Sequence, residues 1–158
     1  MRRFLKFLHT AGAIGVAGGL AAFMLMLSAA PEIGATPEYA TVRSTLALVS
    51  RWLILPSMAL VFLSGILSMA VHFPFQNALW VWIKLGAGFL IFESMLATID
   101  APARDAALAA TRAVAGEIDA AELAREVVDR WGAWWTILVL AILNVALAVW
   151  RPRFRSRS

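Results

Sequence analysis

The sequence predicts an all-α integral membrane protein, a bundle of four membrane-spanning helices. Of its 158 residues, 61% are hydrophobic and only 15% are charged, whereas soluble domains carry about a quarter charged residues. The apolar residues fall in four runs long enough to cross a hydrocarbon core. We expect one membrane domain over residues 1–158, with spans at about 4–28, 45–73, 79–99 and 132–150.

The first span begins with basic residues and is rich in glycine. Its basic start and the small residues Ser28-Ala29-Ala30 also fit a cleaved signal peptide. The apolar run of roughly 20 residues is longer than the usual signal-peptide core, which favours a retained span. Gly15 and Gly19 form a GxxxG pair that lets another helix approach closely. This pair predicts either packing within the bundle or contact with a second copy or a membrane partner.

Two of the three connections between the four spans are long. Residues 29–43 contain prolines and glycine, so they predict a loop before a second helix that begins near Thr45. Residues 100–131 predict a polar loop with short extramembrane helices before the last span. Asp100 with Pro102 indicates the start of the first of these helices. Gly116 breaks it, and Asp119 with Glu122 predicts a restart.

Basic residues cluster at both ends of the chain, beside hydrophobic segments. Under the positive-inside rule, four spans then place both termini in the cytoplasm. This arrangement predicts a multi-pass membrane protein, with the lipid bilayer as its surroundings. No motif for nucleic-acid recognition accompanies the charge, so we expect no nucleic-acid partner. The chain has no cysteine, which excludes disulfides, thiolate metal sites and covalently attached haem.

Polar residues inside the predicted spans are the candidate functional groups. His9 and Lys84 both lie about 7 Å inside the cytoplasmic boundary at 1.5 Å per residue, Asn144 lies slightly deeper, and His72 lies at the boundary. In one bundle these groups share a layer. Beside Gly12, the His9 imidazole is placed to serve as an axial ligand to the iron of haem b, with Lys84 as a second ligand or a propionate partner. Alternatively, Lys84 extends to the headgroups and His9 bonds a serine or carbonyl of the second helix.

A second pair of charged residues lies toward the outer half of the predicted bundle. Glu93 belongs to the third span, and Arg51 lies at the outer end of the second. A charge inside a membrane is expensive unless it is neutralised. The sequence therefore predicts a structural ion pair between Arg51 and Glu93, with a proton or cation path as the alternative.

Three sequence elements resemble a known superfamily. They are Lys6-Phe7-Leu8-His9 before a glycine-rich helix, Arg51 with Pro56 and Gly65, and Trp80-x-x-x-Lys84. In order and spacing they resemble small four-helix bacterial membrane proteins that include the HemJ-type protoporphyrinogen oxidases, the copper-resistance D proteins and an uncharacterised branch. The last branch is the best match, because helix four reads LAILNVALAVW rather than an Asn-Glu-x-x-Pro-like run. The resemblance implies a haem-b bundle of the bacterial inner membrane, in which His9 and Lys84 match the histidine of the first helix and the lysine of the third.

Two functional hypotheses follow. The first is an inner-membrane protein that binds haem b through His9, Lys84 and Asn144 in a redox or porphyrin-related role. The alternative is a non-catalytic membrane scaffold or small transporter subunit without a cofactor, which contacts a partner through the first helix. No nucleophile with a base and an orienting group can be assembled, so the sequence assigns no reaction.

Overall fold

The computed structural model describes residues 2–71, 79–127 and 131–150, and the regular secondary structure of these residues is helical without any strand. The helices are α1 (Arg2–Ser28), α2 (Pro37–Val49), α3 (Leu55–Val71), α4 (Leu79–Met95), α5 (Ala101–Val114), α6 (Ala120–Glu126) and α7 (Trp131–Trp150). A π-turn at Ser50–Ile54 joins α2 to α3, and a second at Leu96–Asp100 joins α4 to α5. We call these two π-turns together the junction. Each π-turn continues its helix, so the described residues form four long helices (α1, α2–α3, α4–α5 and α7) and the short α6.

The all-helical prediction is confirmed. Three of the described helices are long and apolar enough to cross a membrane: Arg3–Ser28, Pro37–Val71 and Leu85–Val114. The fourth predicted span coincides with α7, a helix of 20 residues. Three long helices of suitable composition establish a membrane-like helical protein.

The second long helix begins at Pro37, so the prediction of a loop as far as Arg43 and a helix start near Thr45 was wrong. The Thr36 hydroxyl caps the helix by accepting a hydrogen bond from the Tyr39 amide over 3.2 Å. Pro37 occupies the first turn, where its missing N–H costs nothing. This cap brings eight further residues into the helix.

The prediction of a helix start at Asp100 was also wrong, because α4 and α5 form one continuous helix. Asp100 has helical dihedral angles and makes no capping bond with its side chain. Pro102 instead removes the amide that would bond the Thr98 carbonyl, and the indole Nε1–H of Trp134 donates to that carbonyl over 3.0 Å. The predicted break at Gly116 is confirmed by its φ of 77°. The predicted restart is confirmed by a bond of 2.7 Å from the Glu122 amide to Asp119 Oδ1.

The spacing of buried side chains explains both π-turns. Around the first, the buried positions are Leu46, Ser50, Ile54 and Met58; around the second, they are Ile91, Met95, Ile99 and Ala103. A spacing of four residues drifts around an α-helix of 3.6 residues per turn. A π-turn accommodates the extra residue, so each set stays on one face. Each π-turn ends two residues before a proline, Pro56 or Pro102.

Two cores result. The larger joins α1, α3, α4 and α7 around the junction, with members including Leu20, Phe23, Ile54, Met95 and Trp134. The smaller core lies between α2, α5 and α6, and we call these three helices together the stalk. It is built mainly from alanines of α5 packed against Tyr39 and Leu123. Small alanine side chains let α2 and α5 lie close together.

Candidate functional site

His9 lies on α1 and faces α3. Its Nδ1 lies 3.0 Å from the Val61 carbonyl oxygen and 3.1 Å from Ser64 Oγ. A carbonyl oxygen can only accept a hydrogen bond, so Nδ1 carries a proton and donates it to the Val61 carbonyl. The Ser64 hydroxyl donates to the same Val61 carbonyl over 3.0 Å. The predicted bond from His9 to a serine or carbonyl of the second long helix is present.

Glycines allow the close approach of α1 to α3 beside His9. A Cβ added at Gly12 would lie 2.8 Å from the Ser57 carbonyl oxygen, and one at Gly19 would lie 2.9 Å from Ile54. A Cβ at Gly15 would overlap the Ser57 side chain. The face of α1 that carries Gly15 and Gly19 therefore packs against the first π-turn and α3 of the same chain. This contact confirms the interpretation as packing within the bundle. Gly18 has open space instead.

The predicted polar layer is represented by His9 alone among the described side chains. Lys84 and Asn144 lie in α4 and α7, but their side chains lie outside the described set, and so does His72. Arg51 and Glu93 are both exposed, and among the ion pairs of residues 2–71, 79–127 and 131–150 none joins them. That part of the chain also contains no group of three or more His, Asp and Glu able to hold a metal ion. This finding does not bear on haem, because the porphyrin supplies most of the ligands to its own iron.

The structure reveals a buried polar cluster at the junction that the sequence did not predict. Asp100 is only 4% exposed, and its Oδ1 accepts a bond of 3.2 Å from the fully buried Ser50 hydroxyl. Its Oδ2 pairs with Arg104 Nε at 3.1 Å. The cluster links the two π-turns across the helix pair. Buried charges need partners of this kind, so the cluster fixes how the two long helices face each other.

A buried cation lies in the stalk next to the junction. Arg43 is 5% exposed, and its Nε–H donates to the Tyr39 hydroxyl over 2.9 Å. Its guanidinium carbon lies 5.1 Å from the centre of the Tyr39 ring, a cation–π arrangement. One sequence signal for this contact was available, since Tyr39 and Arg43 are four residues apart and share a helix face. The prediction of a loop over residues 29–43 concealed it.

Comparisons with known proteins identify no relative. No family model, no curated protein and no solved structure matches the chain. The resemblance to small four-helix haem-associated membrane proteins therefore stays a prediction.

Proposed function

We propose that the protein is a four-span integral protein of the bacterial inner membrane that binds haem b through Nε2 of His9. The observation that carries the proposal is the pair of contacts from His9 Nδ1 to the Val61 carbonyl and Ser64 Oγ. Histidines that bind a metal almost always donate the N–H of their other nitrogen to a carbonyl, a carboxylate or water. Such a bond fixes the tautomer and orientation and makes the ligating nitrogen more basic.

The surroundings of His9 fit a flat apolar ligand. Gly65 lies beside the ring, because a Cβ there would be 3.8 Å from His9 Cε1. The described side chains of α4 between Trp82 and Leu90 are all exposed or half-buried. This end of the bundle therefore presents partly exposed apolar side chains. The donor chemistry and the available surface support haem b better than a free metal ion.

The proposal assigns each polar residue a task. His9 ligates the iron, Ser64 and the Val61 carbonyl orient the ring, and Lys84 and Asn144 supply polar groups from α4 and α7. Lys84 pairs with a propionate or serves as a second ligand. Bound haem b would supply one-electron redox chemistry. The hydrogen bond at Nδ1 then tunes the reduction potential by changing the electron density of the imidazole.

An absorption spectrum tests the proposal. Protein purified in detergent from haem-supplied cells should show a Soret band that His9→Ala abolishes. His9→Met should keep a band but raise the reduction potential, because a thioether replaces an imidazole. Ser64→Ala is the matched control: it keeps the ligand and the band and shifts only the potential. Wild-type protein that stays colourless after reconstitution, or a band unchanged in His9→Ala, would overturn the proposal.

A further inference from the structure

Glu93 is an acidic residue on the outer surface of α4. The fully buried Met95 lies two residues further on, and two residues turn an α-helix by about 200°. Glu93 therefore points away from the core, and its side chain is exposed. Leu90, on the same face, is 66% exposed. Within the described part of the chain, no ion pair or hydrogen bond involves the Glu93 carboxylate. The outer face of α4 thus carries an unpaired acid among apolar side chains.

Exposed tryptophans indicate how deep Glu93 lies in the membrane. Trp52 of the first π-turn is 72% exposed, and Trp135, beside the Trp134 that bonds the second π-turn, is 55% exposed. Tryptophans collect at the interface between lipid and water, so this pair marks the junction as the level of one interface. Glu93 precedes Asp100 by seven residues, which is about 10 Å of helix on the side away from the stalk. This position corresponds to the depth of the lipid chains.

The outward position of Glu93 is unusual for a residue at this depth. Ionisable residues of membrane-spanning helices almost always face the interior of a bundle or a water-filled cavity, and they pair with one another there. Glu93 faces out of its own bundle. Its position fits the rule if the outer face of α4 packs against another membrane protein that supplies a positive charge.

Arg51 supplies a complementary charge at the same end of the bundle. It follows Ser50, whose hydroxyl bonds Asp100, so it lies at the level of the junction. Its side chain is exposed, and among the described residues it makes no ion pair or hydrogen bond. Arginine can lay its apolar stem along a surface while its charged head reaches a partner elsewhere. Each copy of the chain therefore carries one acid and one base that a second copy can complement.

We propose that two copies of the chain associate through the outer face of α4, with Glu93 of each copy paired with Arg51 of the other. A twofold axis along the membrane normal makes such contacts reciprocal, so both ion pairs form together. Complementary charges also fix which surfaces meet. The proposal does not depend on haem binding, because His9 lies on α1 and faces α3.

Charge reversal in the full-length protein tests the proposal. Chains labelled with donor or acceptor dyes are reconstituted into liposomes, and energy transfer reports their association as the ratio of protein to lipid is varied. We expect the wild type to associate. Glu93→Arg alone and Arg51→Glu alone should each weaken association at least tenfold, because each places like charges opposite one another. An equimolar mixture of the two variants should restore association, because every pair across the interface then has opposite charges.

The mixture distinguishes a pair between copies from a pair within one chain. An ion pair within one chain stays broken in both variants when they are mixed, so a mixture that fails to associate would overturn the proposal. A wild type that remains monomeric at every ratio of protein to lipid would overturn it as well.

Two further variants control for folding and for charge. Glu32→Arg makes the same charge change at an exposed position outside the helices, and it should leave association unchanged. Glu93→Leu removes the acid without placing a cation among lipid chains, so it should weaken association at least tenfold even if the reversed chains fold poorly. Circular dichroism checks that each variant is helical. Association that is unchanged in Glu93→Leu, or equally weakened in Glu32→Arg, would contradict an interface at Glu93.

Discussion

The junction and the His9 end of the protein have similar apolar sequences but are packed very differently. Buried core residues of α1, α3, α4 and α7 concentrate around the junction. There a tryptophan, a serine and an aspartate also make hydrogen bonds between helices. At the other end, the described side chains of α4 from Trp82 to Leu90 are not buried, and His9 links α1 to α3. The difference indicates that the junction contributes more to the stability of the fold than the His9 end does.

The largest expected effect concerns the contact between α1 and α3. Gly12→Leu should lower the free energy of unfolding by about 3 kcal/mol or more, because overpacking a tight contact forces backbone shifts. A Cβ at Gly12 would already lie 2.8 Å from the Ser57 carbonyl oxygen. The measurement is unfolding in mixed detergent micelles. Gly18→Leu on the same helix is the control and should cost little, since no atom lies within 4 Å of a Cβ there. Equal losses in both variants would contradict the described packing.

The next effect is at the junction itself. Trp134→Phe should cost about 2 kcal/mol, because it leaves the Thr98 carbonyl without a donor, and an unsatisfied buried group costs about 1–3 kcal/mol. Trp135→Phe, at an exposed neighbouring position, should have almost no effect. Thermal or chemical unfolding of the two variants checks the difference.

A rescue variant sharpens this test. Pro102→Ala restores the backbone amide that normally bonds the Thr98 carbonyl. In the Trp134→Phe background it should therefore recover part of the lost stability. If Pro102→Ala destabilises both backgrounds equally, Trp134 does not compensate for the proline.

A smaller effect is expected at the polar cluster. Ser50→Ala should cost about 1 kcal/mol, the net value of a typical intramolecular hydrogen bond, because the fully buried hydroxyl donates to Asp100. Ser28→Ala is the control, since that exposed hydroxyl bonds only within its own turn. A loss at Ser28 as large as that at Ser50 would argue against a link between the two π-turns.

Much of the fold was predictable, because the length and periodicity of apolar runs report helices directly. The continuity of the helices was harder to predict. Thr36-Pro37 is a complete N-terminal signal, but Pro31 and Gly34 just before it indicated a longer loop. Asp100 and Pro102 look like a helix start in sequence, and only the tertiary bond from Trp134 shows why the helix continues. The four-residue spacing of buried positions indicates the two π-turns, but it can be recognised only once the buried side chains are known.

The candidate site was predicted in part. The position of His9 near a helix end, beside glycine, indicated an interior contact, and the structure identifies Val61 and Ser64 as its partners. The pairing of Ser50 with Asp100 depends on where two helices cross, which local sequence does not encode. Arg51 and Glu93 appeared complementary in charge and depth. In the structure each side chain is exposed, and their ion pair stays a prediction.

Hydrogen exchange in detergent, with and without haem, tests most directly whether the two ends have different tasks. Without haem, amides 82–90 of α4 should exchange at least tenfold faster than amides 91–103, because buried packing and hydrogen bonds suppress local opening. Adding haem should slow exchange in residues 82–90 of the wild type but not of His9→Ala, and should leave residues 91–103 unchanged. Equal protection of both segments without haem, or a haem effect confined to the junction, would contradict the account.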